Sequence, residues 1–332
     1  MDRLEQLEQW LRADCGLQGF QLSPASSDAS FRRYFRARLP DGATRIVMDA
    51  PPEHEDCRPF VRIAALLREA GLNAPQVHAS DFGQGFLLLS DLGTTTYLDA
   101  MRAGDPDPLY RDAIAALVRM QAASQQGVLP EYDRALLLRE LMLFPDWYVA
   151  RQHGRELSGK ERAMLTATFD RILDNNLAQP RVYVHRDYHC RNLMLAEPNP
   201  GVLDFQDAVH GPVTYDLVSL LRDAYVEWQE PRVIDWAVRH WESARAAGVP
   251  VQADFGEFYR DFEWMGVQRH LKVLGIFARL ALRDGKHAYL DDQPLVMRYL
   301  RRACVRYSQL GPLGVLLEEL DTGSVAPSGY TF

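Results

Sequence analysis

The chain has 332 residues, 47% apolar and 25% charged, with a formal net charge of −8, enough for one large two-lobed domain or two medium ones around a sizeable core. The acidic balance argues against a nucleic-acid partner, and no apolar run reaches the ~18–20 residues of a membrane span. The start shows no basic stretch followed by an apolar one, so a cytoplasmic protein without a membrane partner is expected.

An amphipathic helix is predicted at 4–11, followed by strands at 20–22, 33–38 and 45–50, the last two joined by a Pro40-Asp41-Gly42 turn. Phe60, Ile63, Ala64, Leu67 and Ala70 have helical spacing with Gly71 as a stop. Residues 76–79 and 85–89 read as two more strands. A small mixed sheet carrying one major helix therefore fits residues 1–90. Ser90-Asp91-Leu92-Gly93 breaks the pattern, leaving 91–94 as a hinge. Residues 95–321 read as a larger, mainly helical lobe, with helices around Ile114, at 136–143 and 162–173, and from 215, 232, 255 and 295 onward. Residues 322–332, rich in Gly, Ser and Pro, read as a flexible tail. The fold class is α+β.

Within that helical part, an apolar strand at 182–184 feeds His185-Arg186-Asp187-Tyr188-His189-Cys190-Arg191-Asn192. Apolar segments at 193–195 and 202–203 then pair as a hairpin, which brings Asn192 and Asp204 together. Phosphoryl transfer needs a carboxylate to orient and deprotonate a hydroxyl, and oxygen ligands for Mg²⁺ on the triphosphate. Asp187 stands at the position of the catalytic Asp in H-R-D-x-x-x-x-N, with Asn192 and Asp204 at the metal-ligand positions. ATP and Mg²⁺ follow as partners of the reaction.

These motifs resemble the aminoglycoside phosphotransferase family, which has a bilobal protein-kinase-like fold. His189 stands where small-molecule kinases of that family carry His and protein kinases carry Lys. Asp204-Phe205-Gln206-Asp207-Ala208 replaces a D-F-G start, and the segment from Gly211 to Leu217 is similar to the next signature of the family. The resemblance implies that Asp216 braces the catalytic loop, here read as a helix N-cap carboxylate, and that His185 is a packed scaffold residue. His189 either reaches the transferring phosphate or holds Asp187.

The nucleotide lobe departs from the kinase pattern. Only Lys160, Lys272 and Lys286 are lysines, so none precedes position 160, and Met48 occupies the place of the strand lysine that holds the phosphates. Arginines can replace it. Arg32 and Arg33 are the candidates in the glycine-free segment 26–34, where a phosphate-covering loop belongs. Ser90, Asp91 and Leu92 are expected to face the adenine edge, with Met48, Leu88 and Leu89 flanking the base. Trp147, Tyr148, Arg222, His270 and Lys272 are candidates for the acceptor substrate. Segments 28–36, 47–52, 144–148 and 270–280 are similar to a bacterial branch of the family, the anomeric sugar kinases of cell-wall recycling. That similarity implies ATP-dependent phosphorylation of the C1 hydroxyl of N-acetylmuramate and N-acetylglucosamine. A kinase for aminoglycosides, choline or amino alcohols is the alternative within the family, and a pseudokinase scaffold the alternative outside catalysis.

Overall fold

The computed structural model describes residues 2–26, 31–102 and 104–323. Residues 27–30, in the expected phosphate-covering segment, and residues 324–332 of the expected tail lie outside the described residues. In chain order the elements are α1 (Arg3–Ala13), β1 (Gln21–Ser26), β2 (Arg33–Arg38), β3 (Thr44–Asp49), α2 (Arg58–Glu69), β4 (Val77–Asp81), β5 (Phe86–Ser90), α3 (Tyr97–Met101) and α4 (Asp107–Ala122). There follow α5 (Arg134–Leu141), a π-helical segment (Phe144–Gln152), α6 (Gly159–Leu177), β6 (Arg181–Val184), β7 (Leu193–Met194), β8 (Gly201–Val202) and β9 (Val209–Pro212). The chain ends in α7 (Tyr215–Leu221), α8 (Glu230–Ala246), α9 (Phe255–Asp284), α10 (Gln293–Arg306) and α11 (Gly311–Gly323). None of the described helices is long and apolar enough to cross a membrane.

Contacts divide the chain into two compact units. One takes the chain up to Met120 together with Arg191–Ala208, the other Gln121–Cys190 and everything from Val209 on. The division does not fall at the 91–94 hinge, because residues after it are tied to the β7–β8 hairpin. The Leu195 N–H donates to Thr95 O at 2.9 Å, and Asn199 Nδ2 donates to Tyr97 Oη at 3.0 Å and to Asp112 at 2.7 Å.

In the first unit the five strands lie in the order β1-β2-β3-β5-β4. Every neighbouring pair is antiparallel, not mixed as the sequence suggested; the tight turns joining β2 to β3 and β4 to β5 require that direction. Successive side chains alternate between faces. Val47 and Leu88, paired across β3 and β5, enter the core with Leu7, Trp10 and Leu11 of α1. Met48 therefore faces the other side, with Leu87 as its cross-strand partner and Leu89 two residues along. Leu88, expected beside Met48, belongs to the α1 core instead.

The second unit is built along α9, a helix of 30 residues. Gly275 lets the chain at Leu143 reach the α9 backbone: a Cβ there would lie 2.4 Å from the Leu143 carbonyl. Gly275→Ala is expected to lower stability by ~1–3 kcal/mol from overpacking, in spite of the ~1 kcal/mol that Ala gains over Gly in a helix. Urea unfolding checks this, and an unchanged or raised midpoint would contradict it. β6 pairs with β9, Val184 opposite Val209. The sequence missed β9 because Gly211 and Pro212 demote a strand.

Candidate active site

The loop after β6 is held by buried aspartates at both ends. Asp216, on the first turn of α7, accepts the His185 N–H at 2.6 Å and the Arg186 N–H at 3.0 Å. It was expected as an N-cap; it sits inside α7, after Thr214, and braces the loop instead of its own helix. Burial pushes its carboxyl up to about 7 against those two bonds. At the other end, Asp223 accepts the Cys190 N–H at 3.1 Å and the Tyr225 N–H at 3.3 Å. His185 is buried, and its Nδ1 accepts the Asp187 N–H at 3.3 Å.

Between these anchors Arg186 adopts φ 77°, and Asp204 adopts φ 64°; among the described residues they are the non-glycine positions in the left-handed region. Such backbone costs of order 1–3 kcal/mol and persists where its surroundings over-determine it. Here the surroundings are polar. The Arg186 guanidinium pairs with Glu140 and lies 5.5 Å from the Tyr132 ring centre. Arg269 Nη1 donates to Arg186 O at 3.1 Å and stands 3.7 Å from Asp187 Oδ1. Lys272 Nζ pairs with Glu140 Oε1 at 3.0 Å and donates to Tyr215 Oη at 3.1 Å.

The Asp187 side chain keeps 41% of its surface exposed. Burial raises its carboxyl, but Lys272, Arg269, His189 and His185 outweigh that and hold it well below the usual carboxylate range. Asp187 is thus an ionised acceptor with an open side. His189 donates its backbone N–H to Asp187 O at 3.1 Å, and its ring meets the Tyr225 ring edge-on at 5.5 Å. Its Nδ1 is buried without a hydrogen-bond partner among the described residues.

In the first unit, β7 and β8 pair Leu193 with Val202, and the Leu203 N–H donates to Asn192 O at 2.9 Å. The hairpin expected from the sequence brings Asn192 Nδ2 to 3.3 Å from Asp204 Oδ2. Leu193, Val202 and Phe205 are fully buried beneath an exposed Asp204. An amide and a carboxylate side by side are the hard oxygen donors that Mg²⁺ takes. No group of three or more His, Cys, Asp or Glu gathers among the described residues.

The phosphotransferase enzyme family model matches residues 21–251. The chain belongs to that family. An N-acetylmuramate/N-acetylglucosamine kinase of Neisseria meningitidis serogroup B is 51% identical over 336 residues, 100% of both chains. One of Pseudomonas aeruginosa is 55% identical, over 92% of this chain and 90% of its own. Among solved structures, a choline/ethanolamine kinase family protein from Mesorhizobium loti has a TM-score of 0.60 at 14% identity, covering 95% of this chain and 99% of its own. The gentamicin complex of APH(2")-IIa has a TM-score of 0.59 at 13% identity, covering 90% of this chain and 96% of its own. These structural likenesses show the fold, which is the protein-kinase-like one.

In this phosphotransferase Arg32, Arg33 and Arg36 of the five-stranded unit each hold a carboxylate. Arg32 pairs with Glu55 at 3.0 Å. Arg33 lies on the α1 face with Phe35, where it and Arg3 share the buried Asp49. Arg36, on the Met48 face, grips Asp91 at 2.6 and 3.1 Å and donates to Gly93 O at 2.9 Å. The segment expected as the hinge is therefore tied to the sheet by Arg36, while Ser90 Oγ accepts the Gln76 N–H at 2.9 Å.

Of the residues expected at the acceptor substrate, the phosphotransferase turns four inward. Tyr148 is buried and stacks on Phe144. Arg222 is buried with Glu263 and Glu230, each 3.2 Å from Nη2. His270 lies against Arg222 O at 3.0 Å and stacks on Tyr299; burial pushes it down to about 3. Lys272 serves Glu140. Residues 268–272 lie on a stretch of α9 that is buried on all sides, so neighbours in sequence there meet different partners. Trp147 alone keeps a partly exposed ring, with Arg151 4.4 Å from its centre. Sequence reasoning missed Glu140, Asp223 and the part of Arg269 at Asp187. Arg269 had a signal, a cation next to the candidates His270 and Lys272. Glu140 had none.

Proposed function

We propose that the protein is an ATP-dependent sugar kinase that phosphorylates the C1 hydroxyl of N-acetylmuramate and N-acetylglucosamine, in bacterial cell-wall recycling. The substrate class rests on relatives about half identical along essentially the whole chain and named for those two sugars. The geometric observation that carries the reaction is Asp187, an ionised carboxylate with an open side on a loop held at both ends.

In this reading Asp187 orients the anomeric hydroxyl and takes its proton as the oxygen attacks the γ-phosphorus and the bond to the departing ADP breaks. An anomeric hydroxyl is more acidic than an ordinary alcohol, so positioning and charge neutralisation carry most of the rate. Arg269 and Lys272 keep Asp187 ionised, and His189 completes the catalytic pair. Asn192 and Asp204 would hold Mg²⁺, which when bound neutralises phosphate charge. The Met48 face of the sheet and the segment Ser90–Asp91–Leu92 would take the adenine, Arg32 the phosphates, and Trp147 one face of the sugar. An ATP-consumption screen with N-acetylmuramate, N-acetylglucosamine, choline and kanamycin tests the substrate class, and ³¹P NMR of the product tests the position. Turnover of kanamycin or choline alone would sink the reading.

The two arginines proposed for nucleotide separate in a further test. Arg32→Ala is expected to raise the KM for ATP by about 10-fold, near the worth of one charge-assisted hydrogen bond. Arg33→Ala should leave that KM nearly unchanged and lower the melting temperature, because Arg33 is committed to the buried Asp49 on the α1 face. An ATP titration of each variant decides; equal KM shifts would show that the two act together.

A further inference from the structure

The peptide that leads into Asp187 belongs to no helix or strand, and Arg186 before it lies in the left-handed region. Its two polar groups therefore need partners from elsewhere in the fold. Both partners are side chains. The N–H of Asp187 donates to His185 Nδ1 at 3.3 Å, and the carbonyl of Arg186 accepts Arg269 Nη1 at 3.1 Å. Asp216 fixes the peptide before it by accepting the Arg186 N–H at 3.0 Å. A loop peptide gripped at both ends sets the direction in which the next side chain leaves the backbone, and that side chain is the Asp187 carboxylate.

Arg269 reaches this loop from the middle of α9 and is buried. Its guanidinium carbon lies 5.8 Å from the centre of the buried Tyr215 ring, on the helix that also carries Asp216. Packed there, the planar fork is preorganised. The same Nη1 stands 3.7 Å from Asp187 Oδ1. That is close enough for an ion pair and too long for a hydrogen bond. Arg269 thus draws the carboxylate into place without taking up the oxygen's capacity to accept a proton from substrate. Lys272, three residues on, is directed to Glu140 and the Tyr215 hydroxyl, so the Arg186 carbonyl falls to Arg269.

We propose that Arg269 is a positioning residue for phosphoryl transfer: through the Arg186 carbonyl and Asp187 Oδ1 it sets the direction of the carboxylate, and its geometry matters beyond its charge. This rests on Asp187 as the base in the reading above. The test is steady-state kinetics of Arg269→Lys and Arg269→Met, each alone and combined with Asp187→Asn, on the acceptor that the ATP-consumption screen selects. Alone, each should lower kcat by about 10- to 100-fold, the cost of misplacing a reacting group by about 1 Å, with KM for ATP and acceptor little changed. Arg269→Lys keeps the charge and loses the fork, so it should recover little of the loss. Combined with Asp187→Asn, the same substitutions should cost almost nothing further, because residues that act as a unit are not additive. A residue that only held the fold would raise both KM values and lower kcat by the same factor in either background. Where Arg269→Met does not fold, Arg269→Lys decides. If Arg269→Lys works at the wild-type kcat, or either variant takes its full factor again on top of Asp187→Asn, the positioning role is wrong and Asp187 remains the base. If Asp187→Asn itself keeps the wild-type kcat, the base and the positioning role are overturned together.

Discussion

Asp187→Asn is expected to lower kcat by about 10²–10⁴-fold, the usual worth of a positioned general base, with KM for ATP and sugar little changed. The amide keeps the shape and the loop anchors, since Asp216 and Asp223 bind backbone N–H groups that the substitution leaves alone. It cannot accept the proton. Because the folded carboxyl is depressed, its ionised form adds stability above the unfolded value near pH ~4, lost as pH falls through the folded value. Asn should therefore lower the melting temperature slightly at neutral pH, an effect limited by the open side of Asp187. For the same reason no acid limb from Asp187 should appear in the kcat/KM profile above pH ~4. A variant within tenfold of wild-type kcat would show that another group takes the proton.

How much of this was legible in the sequence depended on how local each feature is. The loop His185–Asn192 and the hairpin to Asp204 are short-range: strand, turn residues and motif lie within twenty positions, and the structure places Asn192 beside Asp204 through one hairpin. The five strands of the sheet and most of the helices were readable from periodicity for the same reason. The direction of the sheet was not, because pairing direction follows from connections in space. Helix α11 was missed although Leu313, Leu316, Leu317 and Leu320 are all buried on it, since Gly311, Pro312 and Gly314 mask its start. The charged substrate candidates illustrate a different limit. His270 and Lys272 look like a basic cluster in the chain, yet a buried helix sends them to different neighbours, Arg222 O and Glu140. A charged side chain in sequence says nothing of whether a carboxylate waits for it elsewhere in the fold.

Glu140 is where that blindness costs most, and Glu140→Ala is expected to destabilise the protein by ~3–5 kcal/mol, the cost of breaking a buried ion pair by removing one partner. The residue is 5% exposed. One oxygen receives Arg186 and Lys272, and the other receives the Tyr132 hydroxyl. Its removal leaves two buried cations unmatched beneath the loop that carries Asp187, a large fraction of the ~5–15 kcal/mol that folds a domain. Burial raises the Glu140 carboxyl, but Lys272, Arg186 and the Tyr132 bond outweigh it and the folded pKa is lowered. Its contribution is therefore complete above the unfolded value near pH ~4.3 and is lost as pH falls through the folded one. Urea unfolding of wild type and Glu140→Ala should differ widely at pH 7 and converge in acid. Adding Lys272→Met to Glu140→Ala should recover part of the loss, because one of the stranded charges goes with it. Equal midpoints at neutral pH, or a double variant worse than the sum of the singles, would mean that Arg186 and Lys272 are held by something other than this carboxylate.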